Sequence, residues 1–300
     1  MRSGLAAESA RLDVALVGAG LARSRGQARE LIDRAAVSVD SRPAGRASQT
    51  VPQGAHLEVY AAADPAWVGR AAGKLDGALQ AFGVTRGSRM GDCLSVRGRR
   101  CLDVGAGTGG FTQVLLQRGA AHVVALDVGH GQLVPALARD PRVTERSGVS
   151  IRDVGADAVV GPAELGAPFD VVVADLSFIS LRLVLPALVP LVSRDGDAVL
   201  LIKPQFEVGR VGLTKHGVVK NAGLSANALS AVLEAAAALG WQVHDVVPSS
   251  VTGAAGNQEY LGWFSPRSNG AMSAQDIMEA VNVVTVPCHA TAQSLEGRGS

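Results

Sequence analysis

Between Arg99 and Val128 the chain reads RRCLDVGAGTGGFTQVLLQRGAAHVVALDV. An apolar run meets four glycines within six residues, a helical pattern follows, and a second apolar run closes on Asp127. Few structures accept this order other than strand, tight turn, helix and parallel strand. Gly105, Gly107 and Gly110 satisfy G-x-G-x-x-G. Side-chain-free backbone lets a ligand approach, and an acid ending the second strand can accept from ribose hydroxyls. Many nucleotide folds share that requirement. Asp103 narrows it, because a nicotinamide site usually has an apolar or small residue two places before the first glycine.

The same alternation continues. A helix is expected at about 71–83, strands near 100–104, 122–127, 170–175 and 197–202, and helices near 110–118, 130–139 and 221–239. Late strands near 241–247 and 259–264 complete the set. Strands alternating with helices imply an open, mostly parallel sheet covered on both faces. Three hundred residues suggest about two domains, and a chain that is 47% hydrophobic and 18% charged can bury a core. The net charge of +1 points to no partner by itself. Cys93, Cys101 and Cys288 lack metal-ligand spacing, so no metal site is expected, and reduced thiols fit a cytoplasmic chain. Val14 to Ala22 is apolar, but Glu8, Arg11 and Asp13 before it and Arg23 and Arg25 after it argue against a signal peptide. Leu183 to Val192 is too short to span a bilayer and contains Pro186 and Pro190. No membrane association is expected.

The front of the chain is a smaller unit. Leu12, Ala15 and Leu16 share one side of a short helix that Gly18 and Gly20 end. Ser24 and Gln27 have capping-box spacing ahead of Ala28, Leu31 and Ile32. AVSVD and HLEVY read as strands around the turn SRPAGR. Seven arginines and no lysine lie between Arg11 and Arg46, against the four acids Asp13, Glu30, Asp33 and Asp40. Guanidinium forks suit phosphates, although a charge run is more often a solvated helix face. The stretch RLDVALVGAGLARSRGQARELIDRAAVSVDSRPAGRASQTV resembles the RNA-binding module first known from small-subunit ribosomal protein S-four. Ser41 stands where that module usually has glycine. The resemblance implies RNA contacts from Arg11, Arg23, Arg25, Arg29 and Arg46.

LDVGAGTGG resembles the first motif of S-adenosylmethionine-dependent methyltransferases. The resemblance implies that Asp103, Gly105, Ala106, Gly107, Thr108, Gly109, Gly110, Phe111, Asp127 and Asp175 hold that cofactor. Further along, FDVVVADLSFIS ends a strand at Asp175 and AVLLIKPQFEVG ends one at Lys203. Active groups collect at the carboxyl ends of parallel strands, and a lysine after such an apolar run is costly without a purpose. Lys74 and Glu259 would each pass alone as surface residues.

Together, WVGRAAGKLDGAL, CLDVGAGTGGFTQVLLQRGAAHVVALDVGHGQL, DPRV, VVVADLSFISL, KPQFEVG and GNQEY resemble the TlyA-type, or hemolysin-A-type, rRNA methyltransferases over nearly the whole chain. The resemblance implies a Rossmann-like class I methyltransferase sheet of the FtsJ-like kind behind a small α+β RNA-binding domain. The RNA-binding domain is expected at 8–62, a linker at 63–68, the methyltransferase domain at 69–268 and a tail at 269–300, with a short helix at about 273–284 and then a disordered end. The resemblance implies 2′-O-methylation of cytidine in ribosomal RNA, ribosomal subunits as partners, a monomer, and a Lys-Asp-Lys-Glu tetrad at Lys74, Asp175, Lys203 and Glu259. Departures are Gly107 for the usual serine, Pro65-Ala66 for an arginine-containing linker, and ERSGVS for ERTNAR, so that Gly148 replaces asparagine. The chemistry is coherent. A ribose hydroxyl needs alignment and a base, and the tetrad offers Lys203 as proton acceptor with Asp175 and Glu259 holding the lysines. A non-catalytic ribosome-assembly factor is the alternative that the intact tetrad opposes. A membrane-active hemolysin is a third, opposed by the lack of any span.

Overall fold

A computed structural model describes residues 2–33, 36–40, 42–44, 46–59, 67–83, 93–155 and 159–285. Two compact units result, the second starting at Trp67. The expected linker residues 63–66, residues 84–92 and the chain after residue 285 lie outside the described residues.

The first unit runs β1 (Arg2–Leu5), β2 (Ala10–Arg11), α1 (Leu12–Gly18), α2 (Arg25–Asp33), β3 (Val37–Val39), β4 (Arg42–Pro43), β5 (Thr50–Val51) and β6 (His56–Val59). An antiparallel sheet has the order β1-β6-β3-β4, and β2 pairs with β5 separately. Leu12, Leu16, Ala28, Ile32, Val37 and Leu57 form its core. Ser24 Oγ accepts from the Gln27 amide at 3.3 Å, while Gln27 Oε1 accepts from the Arg23 amide at 2.7 Å. The capping exchange is therefore reciprocal but reaches one residue further back than the expected box. Strand β1 is not anticipated by the sequence, since four residues of RSGL carry no alternation.

The second unit runs α3 (Ala71–Phe82), β7 (Arg100–Val104), α4 (Gly110–Gln117), β8 (His122–Asp127), α5 (Pro135–Ala138), β9 (Val143–Ser147), β10 (Phe169–Ala174), α6 (Leu181–Leu188), β11 (Val192–Ile202), α7 (Pro204–Glu207), α8 (Ala222–Ala238), β12 (Gln242–Pro248), β13 (Tyr260–Ser265) and α9 (Ala274–Thr285). Seven strands lie in the order β12-β13-β11-β10-β7-β8-β9. From β11 to β9 all neighbours are parallel, and β13 is antiparallel to both β11 and β12. The central strands are apolar on both sides because both faces are covered. Leu75, Phe82, Phe111, Val114 and Trp263 pack one face, and Val184, Leu188, Leu229, Val232 and Phe264 the other. Each such large side chain contributes about 1.5–3 kcal/mol by leaving water.

Two local expectations change. The helix expected at 130–139 shrinks to Pro135–Ala138. Gly131 has φ +61° and Val134 is extended, so helix starts only at Pro135, whose fixed φ suits a first position. The VTERS segment, not among the expected strands, is edge strand β9, paired with β8 from Val123–Val143 to Asp127–Ser147. The late helix α9 packs against α8 and β12, with Val281 buried in the sheet's core. Trp67 and Val68 likewise pack on the second unit, and the Val68 amide donates to Gln113 Oε1 at 2.7 Å. Among the described residues, no helix is long and apolar enough to cross a membrane.

Candidate active site

Strand register decides which side chains meet. Ile202 pairs with Tyr260, so Lys203 and Glu259 each stand one step beyond that pair, at one end of the sheet. Ala174 pairs with Leu200 and with Val104, which puts Asp175 and Gly105 at the same end. Carboxyl ends of β7, β8, β10 and β11 thus converge there, as in other open α/β sheets.

Two buried ion pairs occupy the place. Lys203 Nζ lies 2.6 Å from Asp175 Oδ1 and donates to Ser177 Oγ at 2.8 Å. Lys74 Nζ, brought by α3, lies 2.5 Å from Glu259 Oε2. The relative exposures of Lys74, Lys203 and Glu259 are 8%, 7% and 2%. Burial of an ion pair is retained only with good geometry and further hydrogen bonds. Here Gln205 Nε2 supplies one, to Glu259 Oε1 at 2.7 Å. A Cβ at Gly253 would lie 2.6 Å from the same oxygen, so glycine is what lets Glu259 fit. Ser177, Gln205 and Gly253 escape sequence reasoning because each acts through a neighbour that only the fold supplies.

The glycine turn lies beside these pairs. Gly105, Gly107 and Gly109 have φ of +81°, +51° and +97°. A Cβ at Gly105 would also approach the Asp175 carbonyl to 2.5 Å, so this glycine is required twice over. A Cβ at Gly107 would meet nothing within 4 Å, which leaves its backbone open to a ligand. Asp127 Oδ2 accepts from the Gly107 amide at 2.8 Å and Oδ1 from the Gly129 amide at 2.7 Å. The acid expected to bind ribose thus also pins the turn, with a lone pair left on each oxygen.

Asp103 is fully buried on β7, and its Oδ2 accepts from Thr112 Oγ1 at 2.6 Å. Its Oδ1 is buried with no hydrogen-bond partner. Burial, then the Asp175 and Asp127 charges, push its carboxyl up to about 7 against the opposing Thr112 bond. An orphaned buried acceptor is costly unless something complements it. The bare Gly107 backbone, the unpaired Asp103 oxygen and the Asp127 carboxylate fit a cationic, ribose-bearing cofactor. At Gly148, where the resemblance leads one to expect asparagine, φ is +74° and a Cβ would fall 2.5 Å from His130 Nε2. The His130 ring fills that space.

The five arginines expected at RNA belong to the first unit. Arg11, Arg25 and Arg29 gather around Asp13, with side chains 46%, 55% and 52% exposed. Arg23 and Arg46 are exposed.

The FtsJ-like methyltransferase family model matches residues 67–265, and the S4 domain model matches residues 10–57. The 16S/23S rRNA (cytidine-2′-O)-methyltransferase TlyA of Mycobacterium tuberculosis is 47% identical, covering 92% of this chain and 97% of its own. Hemolysin A of Brachyspira hyodysenteriae is 34% identical, over 85% and 99% of the two chains. A solved structure described as a hemolysin from Streptococcus thermophilus is similar at TM-score 0.66 and 30% identity, covering 93% and 96%.

Proposed function

Because this chain belongs to the FtsJ-like methyltransferase family, alongside the TlyA proteins, we propose that it methylates ribose 2′-hydroxyls of cytidine in ribosomal RNA. The observation that carries the reading is the pair of buried Lys–carboxylate couples beside the glycine turn. Two lysines, one at a strand's carboxyl end and one from α3, each held by a carboxylate, suit an alkylation at a weakly acidic hydroxyl, which needs a base and an oriented ribose.

S-adenosylmethionine, when bound, supplies a methyl group made electrophilic by its sulfonium. The Gly105–Gly110 backbone, Asp103 and Asp127 would hold it. Lys203, once neutral, would take the 2′-hydroxyl proton at Nζ as that oxygen accepts the methyl group. Asp175 accepts from the resulting ammonium, and Ser177 fixes the direction of Nζ. Lys74 and Glu259, steadied by Gln205, orient the ribose. Such positioned proton transfer is worth about 10²–10⁴-fold. The first unit supplies docking on rRNA through its arginines.

The test is transfer of labelled methyl to 16S and 23S rRNA, with nucleotides mapped by mass spectrometry. Ribose-methylated cytidine is expected. Base-methylated product, or none with intact subunits, overturns the reading.

A further inference from the structure

Three arginines converge where mutual repulsion should keep them apart. Arg25 and Arg29 lie one turn apart on α2, and Arg11 precedes α1. What gathers them is Asp13, the second residue of α1, whose side chain is wholly buried. Arg11 forks onto it, Nε to Oδ1 at 3.0 Å and Nη2 to Oδ2 at 3.2 Å. Arg25 places Nε and Nη2 on Oδ2 at 3.3 and 3.2 Å, and Arg29 Nε reaches the same oxygen at 3.2 Å.

Asp13 lies in the first turn of α1 and is absent from the unit's apolar core, so the arginine side chains are what cover it. The helix N-terminus accounts for an acid at this place but not for three guanidinium partners on it. The three arginine side chains are about half exposed. Each guanidinium has five donors, so bonding one edge to Asp13 leaves others for a phosphate. Ordering rotamer-rich side chains costs free energy at binding unless it is spent beforehand.

We propose that Asp13 is a positioning residue that holds Arg11, Arg25 and Arg29 as one preformed cradle for the phosphate backbone of RNA. The inference rests on the docking role given above to the first unit. Asp13 subtracts one charge from the surface, yet its effect on RNA affinity is favourable, because it fixes three forks in register. The Arg11 bond, with help from Arg25, holds its carboxyl down at about 2, so the cradle is intact throughout the neutral range.

The test is titration of full-length protein with purified 23S rRNA over a range of salt, for wild type, Asp13→Asn, the Arg25→Ala/Arg29→Ala pair and the triple variant. Wild type should bind, and the arginine pair should bind more weakly with a shallower salt dependence. Asp13→Asn should weaken binding by about tenfold despite the added net positive charge. In the arginine-pair background the same change should have a much smaller effect, which a merely structural role would not produce. If Asp13→Asn fails to fold, Arg11→Lys and Arg29→Lys take its place. They keep every charge but lose the guanidinium bonds to Asp13, and each should bind several-fold more weakly. Asparagine or lysine variants that bind as tightly as wild type overturn the inference alone. Wild-type protein that does not bind, or an arginine pair without effect, overturns the docking role and the inference with it.

Discussion

Lys203 is the residue on which the chemistry turns. Its amine has two partners, Asp175 and Ser177, and little contact with solvent. Arginine would keep the charge and could still meet Asp175, but it does not lose a proton near neutral pH. Lys203→Arg should therefore lose single-turnover methyl transfer nearly as fully as Lys203→Ala, by about 10²–10⁴-fold. Cofactor affinity should stay near wild type. Substantial activity in the arginine variant would reduce Lys203 to an electrostatic support. Asp103 makes a different demand. In the folded chain its carboxyl titrates at about 7, whereas an unfolded aspartate titrates near about 3.9. Between these values the folded state holds a proton that the unfolded chain has released. Stability from this group is present at low pH, falls as pH rises from about 4 to about 7, and is level above. Asp103→Asn should remove that slope from melting temperatures measured without cofactor. An unchanged slope would show that another group causes it.

At the scale of elements, the glycine turn and the β8 end behave as one unit. Asp127 bonds the amides of Gly107 and Gly129, and the Gly105 and Ala106 amides bond the Leu126 carbonyl. Asp127→Ala should thus weaken S-adenosylmethionine by about 1.5–3 kcal/mol in calorimetry, part of it through a loosened turn. Asp127→Asn should fall between, since its amide can accept from only one of the two donors. Equal affinity in all three proteins would remove Asp127 from the site. The turn itself is readable in the sequence because glycine spacing is a local property. Strand β9 is not, because VTERS is polar and only its pairing with β8 makes it a strand.

At the scale of the molecule, the division before Trp67 leaves each unit with its own core. A chain beginning at Ala66 should keep cofactor affinity and lose most methylation of intact ribosomal subunits. Full activity in the shortened chain would mean that docking lies elsewhere. In the full chain, Arg23→Ala with Arg25→Ala should lower the salt slope of rRNA binding by roughly one unit per lost phosphate contact at most. Cofactor titrations should not change.

The alternation of apolar strands and helices, the arginine-rich front and the glycine turn follow from local chemistry, so the sequence alone determines the fold class and the order of parts. The charged residues at strand ends are legible too, since Asp175 and Lys203 each close an apolar run, and two such endings together point to a site more than either does alone. What the sequence leaves open is pairing. Lys74 and Glu259 are separated by 185 positions, and only the antiparallel register of β13 on β11 and the packing of α3 bring them together. Asp13 reads as one acid in a basic run, and its three partners are apparent only once α1 and α2 are packed. Side-chain type is a local property and a hydrogen bond is not: its few-ångström range makes it a product of tertiary structure.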